Sequence, residues 1–190
     1  MKRETLFISI RKNIQSDGFY DEACFKYYLL RLLQCSPSFE ISLHSYALFE
    51  NEILLLCTPM SLIEQNLFLK FLNKSYSEYF NSRFERSAKV WNSNHSMCCV
   101  DESNVMTYQK YIENSPVSRG LTDHPGTYEW SSYCSNCFNR RPPFLTPHSR
   151  FREIYVSHIN PHEAYRGFIA RPFKKADIAV LKEQNSISGL

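Results

Sequence analysis

The chain has 190 residues, of which 43% are hydrophobic, 15% aromatic and 22% charged, with only five glycines. This composition suits one domain with an appended tail and excludes a disordered chain. No apolar run is long enough for a membrane span or a signal peptide, so we expect a cytoplasmic protein with no membrane partner. Seven cysteines, an odd number, are typical of reduced thiols.

The formal net charge of +3 is unevenly distributed. Residues 139–175 contain eight Arg or Lys and two Glu, which gives this segment a charge of +6 and leaves −3 for the rest. A basic C-terminal segment predicts a polyanionic partner, and a solvated basic surface is the alternative.

The first elements in chain order are a strand and a helix. Residues 5–10 form a β-branched and aromatic run that is typical of a strand. After a polar turn, Asp21 can cap a helix whose apolar residues recur at helical spacing as far as Leu33. Pro37 ends that helix.

A hairpin and a long helix follow. Residues 40–48 alternate between polar and apolar side chains, and residues 53–57 are continuously apolar, so we predict two paired strands joined by a short turn. Ser61 begins a long helix that runs to about Phe80.

The remaining elements are shorter. Residues 89–91 predict an edge strand, and residues 104–114 a helix that Pro116 stops. One or two short helices are predicted around residues 162–168 and 176–183.

This order of elements predicts an α+β fold, with an antiparallel sheet and helices packed on one face. We divide the chain into a domain of residues 1–135 and a basic, Pro/Arg-rich C-terminal extension, residues 136–190, that forms a helical tail.

Five groups of residues, in a fixed order, carry a family resemblance. They are Gly18–Asp21, Tyr79–Asn81 with Arg86 and Trp91, Tyr111–Glu113 with Pro116–Val117 and Gly120–Leu121, Tyr128–Tyr133, and Thr146–His148 with Ala164–Arg166. In this order they resemble the REP-associated tyrosine transposases, a branch of the HUH single-strand transposases. The resemblance covers nearly the whole chain and implies the HUH, ferredoxin-like transposase fold.

The same resemblance implies a damaged active site. In that family two histidines on a strand and a polar residue on the tyrosine helix hold a divalent cation, and the tyrosine attacks the phosphate. Tyr111 matches the nucleophile, whereas Glu52, Leu54 and Ser115 stand at the ligand positions. A leucine cannot coordinate a cation, and a lone carboxylate holds magnesium or manganese poorly. We therefore expect no metal and no other cofactor.

The period of a strand places Glu52 and Leu54 on one face. Because an unpaired buried carboxylate is costly, we expect Glu52 to meet Lys110, a hydroxyl such as that of Tyr111, or solvent. Two rebuilt metal sites remain alternatives, one on His44 or His95 and a zinc site on His95, Cys98, Cys99, Cys134 and Cys137.

Nucleic-acid binding uses different residues from cleavage. Basic side chains interleaved with aromatic ones suit phosphate contact combined with base stacking. The predicted contacts are Arg83, Arg86, Lys89, Arg119, Arg140, Arg141, Arg150, Arg152, Arg166, Lys174 and Lys175.

The main hypothesis is a catalytically inactive, domesticated transposase-like protein that binds a DNA hairpin or a specific DNA sequence and regulates gene expression. The enzyme alternative is a single-strand DNA nuclease or transposase that uses Tyr111 with an altered metal site. Further alternatives are an RNA-hairpin binder and a protein-interaction module. The expected partners are hairpin, single-stranded or duplex DNA or structured RNA, and a second copy in a homodimer.

Overall fold

The structure is a computed structural model that describes residues 3–14, 16–87, 89–92, 95–138, 144–157 and 159–184. Within these ranges the chain forms four strands and seven α-helices, with short 3₁₀ turns between some of them. In chain order they are β1 (Thr5–Arg11), α1 (Glu22–Cys35), β2 (Ile41–Phe49), β3 (Glu52–Pro59), α2 (Leu62–Phe84), β4 (Ser96–Val100), α3 (Val105–Ser118), α4 (Tyr133–Cys137), α5 (Ser149–Ser157), α6 (Pro161–Ala170) and α7 (Lys175–Gln184).

The four strands form one antiparallel sheet in the order β2-β3-β1-β4. At its centre, Ile8 lies opposite Leu55 of β3 and Met97 of β4. A register shift between Leu43 and Ser45 bends β2. The predicted α+β class and the predicted hairpin of β2 and β3 are confirmed.

Side-chain caps begin the two long helices where the sequence places them. The Asp21 carboxylate accepts a hydrogen bond from the Cys24 amide (3.0 Å), and the Ser61 hydroxyl accepts from the Ile63 amide (3.2 Å). Such caps satisfy amides that lack a partner within the helix.

One face of the sheet packs on α1 and α2, as predicted. Leu6, Ile8 and Ile10 of β1 are fully buried there, together with Tyr28 and Tyr76 from the two helices. Alternation along a strand sends the intervening residues to the opposite face.

A further helix, α3, covers that opposite face. Phe7, Leu54 and Leu56 pack against Tyr108 and Ile112 of α3, and Leu181 of α7 is buried in the same cluster. Helices therefore lie on both faces, and only the pair formed by α1 and α2 corresponds to the layer that the sequence predicts.

The edge strand lies later in the chain than predicted. Residues 89–91 contribute only an isolated bridge between Trp91 and Lys12, while Val90 and Trp91 are buried in the core beneath α1 and α2. The fourth strand is β4, whose outward side chains are largely exposed. The bulk of the Trp91 ring favours burial over a place at a sheet edge.

The prediction that Pro116 stops α3 is wrong by two residues. Proline cannot donate the usual amide hydrogen bond to the residue four positions back, yet α3 continues for two residues beyond Pro116. The Pro116 carbonyl accepts from the Leu121 amide (3.0 Å), and the Ser115 carbonyl accepts from the Arg119 amide (3.0 Å), which closes the helix.

The C-terminal helices pack on the rest of the chain. Tyr165 and Ile169 of α6 are buried with Tyr133, Cys137 and Phe151 in a third cluster. The helices predicted near residues 162–168 and 176–183 correspond to α6 and α7, and α5 was not predicted. The division at residue 135 stays a prediction.

A buried carboxylate ties α3, α4 and α6 together. Glu113 of α3 is fully buried and accepts hydrogen bonds from Ser132 (2.7 Å), Asn136 (2.6 Å) and Tyr165 (2.6 Å). The Gln109 amide donates to the Tyr165 hydroxyl (2.8 Å). Three donors make burial of this side chain tolerable.

Among the described residues, no helix combines the length and the apolar character needed to cross a lipid bilayer.

Candidate functional site

The tyrosine predicted as the nucleophile lies where α3 crosses the sheet. The Tyr111 ring packs edge-on against Phe7, with 6.0 Å between ring centres. Burial and the negative charge of Glu52 raise the pKa of the Tyr111 hydroxyl, and Arg119 and Ser115 oppose this effect. The phenol therefore stays protonated at neutral pH.

Glu52, at the first ligand position, is already occupied by donors from the chain. The Ser9 hydroxyl donates to its Oε1 atom (2.6 Å), and Arg119 forms an ion pair with its Oε2 atom. Arg11 lies 3.5 Å from Oε1. Burial acts to raise the pKa of Glu52, but the Ser9 and Arg119 hydrogen bonds and the two arginine charges outweigh it and hold the pKa below 4.5.

The other two ligand positions offer nothing to a cation. Leu54 is buried in the apolar cluster beneath α3. The hydroxyl of Ser115 is buried and donates to the Tyr111 carbonyl (2.6 Å), one turn back in the same helix. Magnesium and manganese require several oxygen ligands. These residues therefore do not fit a divalent cation.

Arg119 supplies the positive charge of this pocket. Its guanidinium lies 3.8 Å from the centre of the Phe49 ring and pairs with Glu52. The sequence predicts Arg119 as a nucleic-acid contact, but its side chain is only 30% exposed and is held between these two residues. We did not predict this pairing, because Arg119 and Glu52 are 67 residues apart.

Two predicted contacts lie at the end of α2, on the opposite face of the sheet from Arg119. Arg83 donates to both carboxylate oxygens of Asp21 (2.9 and 2.7 Å), and Arg86 pairs with Asp17. Both arginines remain exposed. The predicted basic set is therefore divided between the two faces of the sheet.

The C-terminal basic residues are spread over three helices and the approach to one of them. Arg150 pairs with Glu153 (2.9 Å) and Arg166 lies over the Phe138 ring (5.4 Å). Arg152, Lys174 and Lys175 are exposed, as is Lys89, which precedes β4. Arg140 and Arg141 lie outside the described residues.

His44, an alternative metal ligand, uses both ring nitrogens within the protein. Its Nδ1 atom donates to the Thr146 carbonyl (2.7 Å), so its Nε2 atom accepts from the Thr58 hydroxyl (2.8 Å). Burial lowers the pKa of His44 from 6.5 to about 4. This geometry fits a neutral structural histidine.

His148 completes a chain of hydrogen bonds with one direction. Its Nδ1 atom accepts from the Arg150 amide (3.1 Å), so its Nε2 atom donates to the Thr5 hydroxyl (3.0 Å). Thr5 then donates to Thr58 (2.9 Å), which donates to His44. Sequence reasoning assigned His148 only to a family motif, because its partners are distant in the chain.

The residues of the alternative zinc site do not lie together in the structure. Cys99 donates to Glu4 (3.3 Å) and Cys134 to the Gly126 carbonyl (3.4 Å), while His95 lies beside Gln65 (3.4 Å). All seven cysteines are free thiols. Across the described ranges, no group of three or more His, Cys, Asp or Glu is placed to share a metal.

Comparison with known proteins gives a likeness of fold. No protein-family model matches the sequence, and no curated protein matches it. A solved structure of a REP-associated tyrosine transposase bound to a REP hairpin superposes with a TM-score of 0.60 and 10% identity over 78% of this chain and 88% of that one. The structure of a candidate transposase from Deinococcus radiodurans R1 has a TM-score of 0.43 and 18% identity over 60% of this chain and 92% of that one. The first comparison confirms the predicted transposase fold.

Proposed function

We propose that this chain binds a folded single strand of nucleic acid, of the hairpin type, without cutting it, and that it regulates gene expression through this binding. The observation that carries the proposal is the occupation of Glu52 by Arg119 and Ser9 beside the aliphatic Leu54. The hairpin in the solved structure of similar fold supports the class of ligand.

Cleavage at Tyr111 lacks the groups that it needs. Attack on a phosphate requires a tyrosine that is deprotonated or gives its proton to a base, and a cation that stabilises charge at the leaving oxygen. The pKa of Tyr111 is raised by burial and by Glu52, and Glu52 is engaged by Arg119 and Ser9. The pocket thus favours a neutral phenol and offers a guanidinium in place of a metal site.

Binding requires charge at the surface, which the chain retains. Lys174 and Lys175 are exposed at the start of α7, and Arg152 is exposed on α5. Phosphate contacts by such side chains release counterions, so the affinity should fall steeply with salt.

The first experiment tests binding. Fluorescence anisotropy with a DNA hairpin, an RNA hairpin, a scrambled single strand and a duplex should show the tightest binding to a hairpin. The variant Lys174→Gln/Lys175→Gln should reduce the slope of log K against log salt by about 1 to 2. Lys26→Gln, in which the lost charge is paired with Glu22 on α1, is the matched control and should leave the slope unchanged. Failure of every nucleic acid to bind better than micromolar at moderate salt would refute the proposal.

The second experiment tests cleavage. Hairpin-bearing single strands incubated with Mg²⁺ or Mn²⁺ should yield no covalent protein–DNA product on a denaturing gel, with the wild type or with Tyr111→Phe. A metal-dependent product that disappears in Tyr111→Phe would establish the enzyme alternative. Charge reversal of Arg140, Arg141, Arg150 and Arg152 without any effect on binding would favour the protein-interaction module.

A further inference from the structure

A groove lies between α2 and the segment that follows it in the chain, on the face of the sheet opposite to Tyr111. Its volume is about 570 Å³, within the usual range of ligand sites. The lining includes Asn66, Lys70, Asn73, Lys74, Glu78 and Lys89, and we call this surface the α2 groove. Tyr111, Glu52 and Arg119 do not line this groove.

The charge of the α2 groove favours an anion. Three lysines face one carboxylate, and the pair Lys74 and Glu78 is loose, at 3.7 Å with both side chains well exposed. Lys70 and Lys89 are exposed as well. A surface pair of this kind contributes little to stability, so Lys74 can exchange Glu78 for a phosphate at small cost.

The polar residues of the groove follow one helical stripe. Asn66, Lys70, Asn73 and Asn81 are separated by steps of three, four or eight residues, which places them along the same side of α2. From Asn66 to Asn81 the helix rises about 22 Å, or roughly six nucleotides at about 3.4 Å per stacked nucleotide. Lysine next to asparagine along this length matches phosphates next to base edges.

Asn73 is a second indication of a ligand. Its Oδ1 atom is shielded and has no hydrogen-bond partner among the described residues. An unpaired buried acceptor destabilises the protein in the absence of a ligand. Rotation of this amide towards the groove would allow it to accept from the amino group of a base.

We propose that the α2 groove binds an unpaired segment of nucleic acid, with its phosphates on Lys70, Lys74 and Lys89 and its base edges on Asn66 and Asn73. Amides can reach the base edges of an unpaired strand, whereas a paired strand has its Watson–Crick edges covered. The inference rests on the proposed function and adds a second contact surface to it, on the other face of the sheet from Arg119.

The test uses single-stranded DNA and RNA oligonucleotides of about ten nucleotides, within the site sizes known for single-strand binders, with a blunt hairpin as the second probe. Lys70→Gln/Lys74→Gln should weaken oligonucleotide binding about fivefold or more and hairpin binding much less. Glu78→Gln should tighten oligonucleotide binding about twofold, because it removes a negative charge and releases Lys74. Lys26→Gln is again the matched control.

Each outcome decides the matter. Equal oligonucleotide affinity in the wild type and in Lys70→Gln/Lys74→Gln, or hairpin binding without oligonucleotide binding, overturns the groove and leaves the proposed function standing. Oligonucleotide binding without hairpin binding overturns the proposed function and leaves the groove standing. Binding of an acidic peptide, with no binding of either oligonucleotide, overturns the groove as a nucleic-acid site.

Discussion

The guanidinium of Arg119 lies between the Glu52 carboxylate and the Phe49 ring, and this placement explains how a largely buried carboxylate keeps its charge. The sequence predicts Lys110, a hydroxyl such as that of Tyr111, or solvent as the partner of Glu52. A hydroxyl does bind Glu52, but it is that of Ser9, and Arg119 rather than Lys110 supplies the cation.

Lys110 faces the C-terminal helices instead. Its ammonium lies 5.1 Å from the centre of the Phe168 ring and 4.8 Å from that of Phe173, and it donates to the Pro172 carbonyl (3.4 Å). Residues 110 and 111 point in different directions because successive helical residues are about 100° apart.

Arg119→Ala should reduce the free energy of unfolding by about 1–3 kcal/mol at pH 7, because it leaves the Glu52 carboxylate with a weaker set of donors. The folded pKa of Glu52 is lowered, so its contribution is full above pH 4.5 and is lost as the pH falls through the folded pKa. Urea unfolding at pH 7 and pH 3 should therefore show the difference shrinking in acid.

The double variant Glu52→Gln/Arg119→Ala is the control for this pair. At pH 7 it should be destabilised by less than the sum of the two single variants, since each removes the same ion pair. Additive effects would contradict the pairing.

Because His44 is buried in its neutral form, the free energy of unfolding should decrease as the pH falls from 6.5 to 4.5. Its folded pKa of about 4 lies below its ordinary value of 6.5, so the unfolded chain binds more protons in this range and stability is lost as the pH falls. The full effect of such a shift is about 3 kcal/mol, reached only near pH 4. His44→Gln should flatten the pH dependence of the free energy of unfolding. An unchanged slope in His44→Gln would contradict the assignment.

At the scale of the elements, the Glu113 carboxylate of α3 connects this helix by hydrogen bonds to α4 and α6. Glu113→Gln keeps an acceptor but sets an amide NH₂ against the donors Asn136, Ser132 and Tyr165, so we expect a loss of about 2–4 kcal/mol in the free energy of unfolding. Tyr165→Phe removes one donor to Glu113 and the acceptor of the Gln109 amide, but it leaves the Ser132 and Asn136 donors in place and should lose less. Chemical denaturation monitored by circular dichroism measures both, and equal losses would indicate packing rather than hydrogen bonding.

The elements that the sequence predicts well are those with a local signal. Asp21 and Ser61 accept amide hydrogen bonds within three residues, so their caps are visible in the sequence. The edge strand was misplaced because Val90 and Trp91 have strand-forming side chains, yet tertiary burial decides their position. By contrast, β4 contains Met97 and two cysteines and is stabilised as a strand mainly by pairing with β1.

At the scale of the whole molecule, the C-terminal helices α6 and α7 pack against the preceding part of the chain. Removal of residues 160–190 should lower the melting temperature, because it exposes the partners of Tyr165, Ile169 and Leu181, which are buried in two clusters. Thermal unfolding followed by circular dichroism checks this. An unchanged melting temperature would support a separable extension after residue 135.

The site as a whole was predictable only in part. The period of β3 places Glu52 and Leu54 on one face, and the structure has them there with Tyr111 above. What occupies Glu52 depends on the end of α3 and on β1, and no local pattern encodes contacts over such separations. The scatter of the basic residues over both faces is unpredictable for the same reason.

The four-stranded sheet separates two layers of side chains, one beneath α3 and one beneath α1 and α2. Substitutions beneath α3 alter one of these layers, while the residues of the α2 groove lie on the other side of the sheet. A change in the side chains around Tyr111 therefore leaves the contacts of the α2 groove unaltered. Substitution of Lys70 or Asn73 should likewise leave the packing around Leu54 intact.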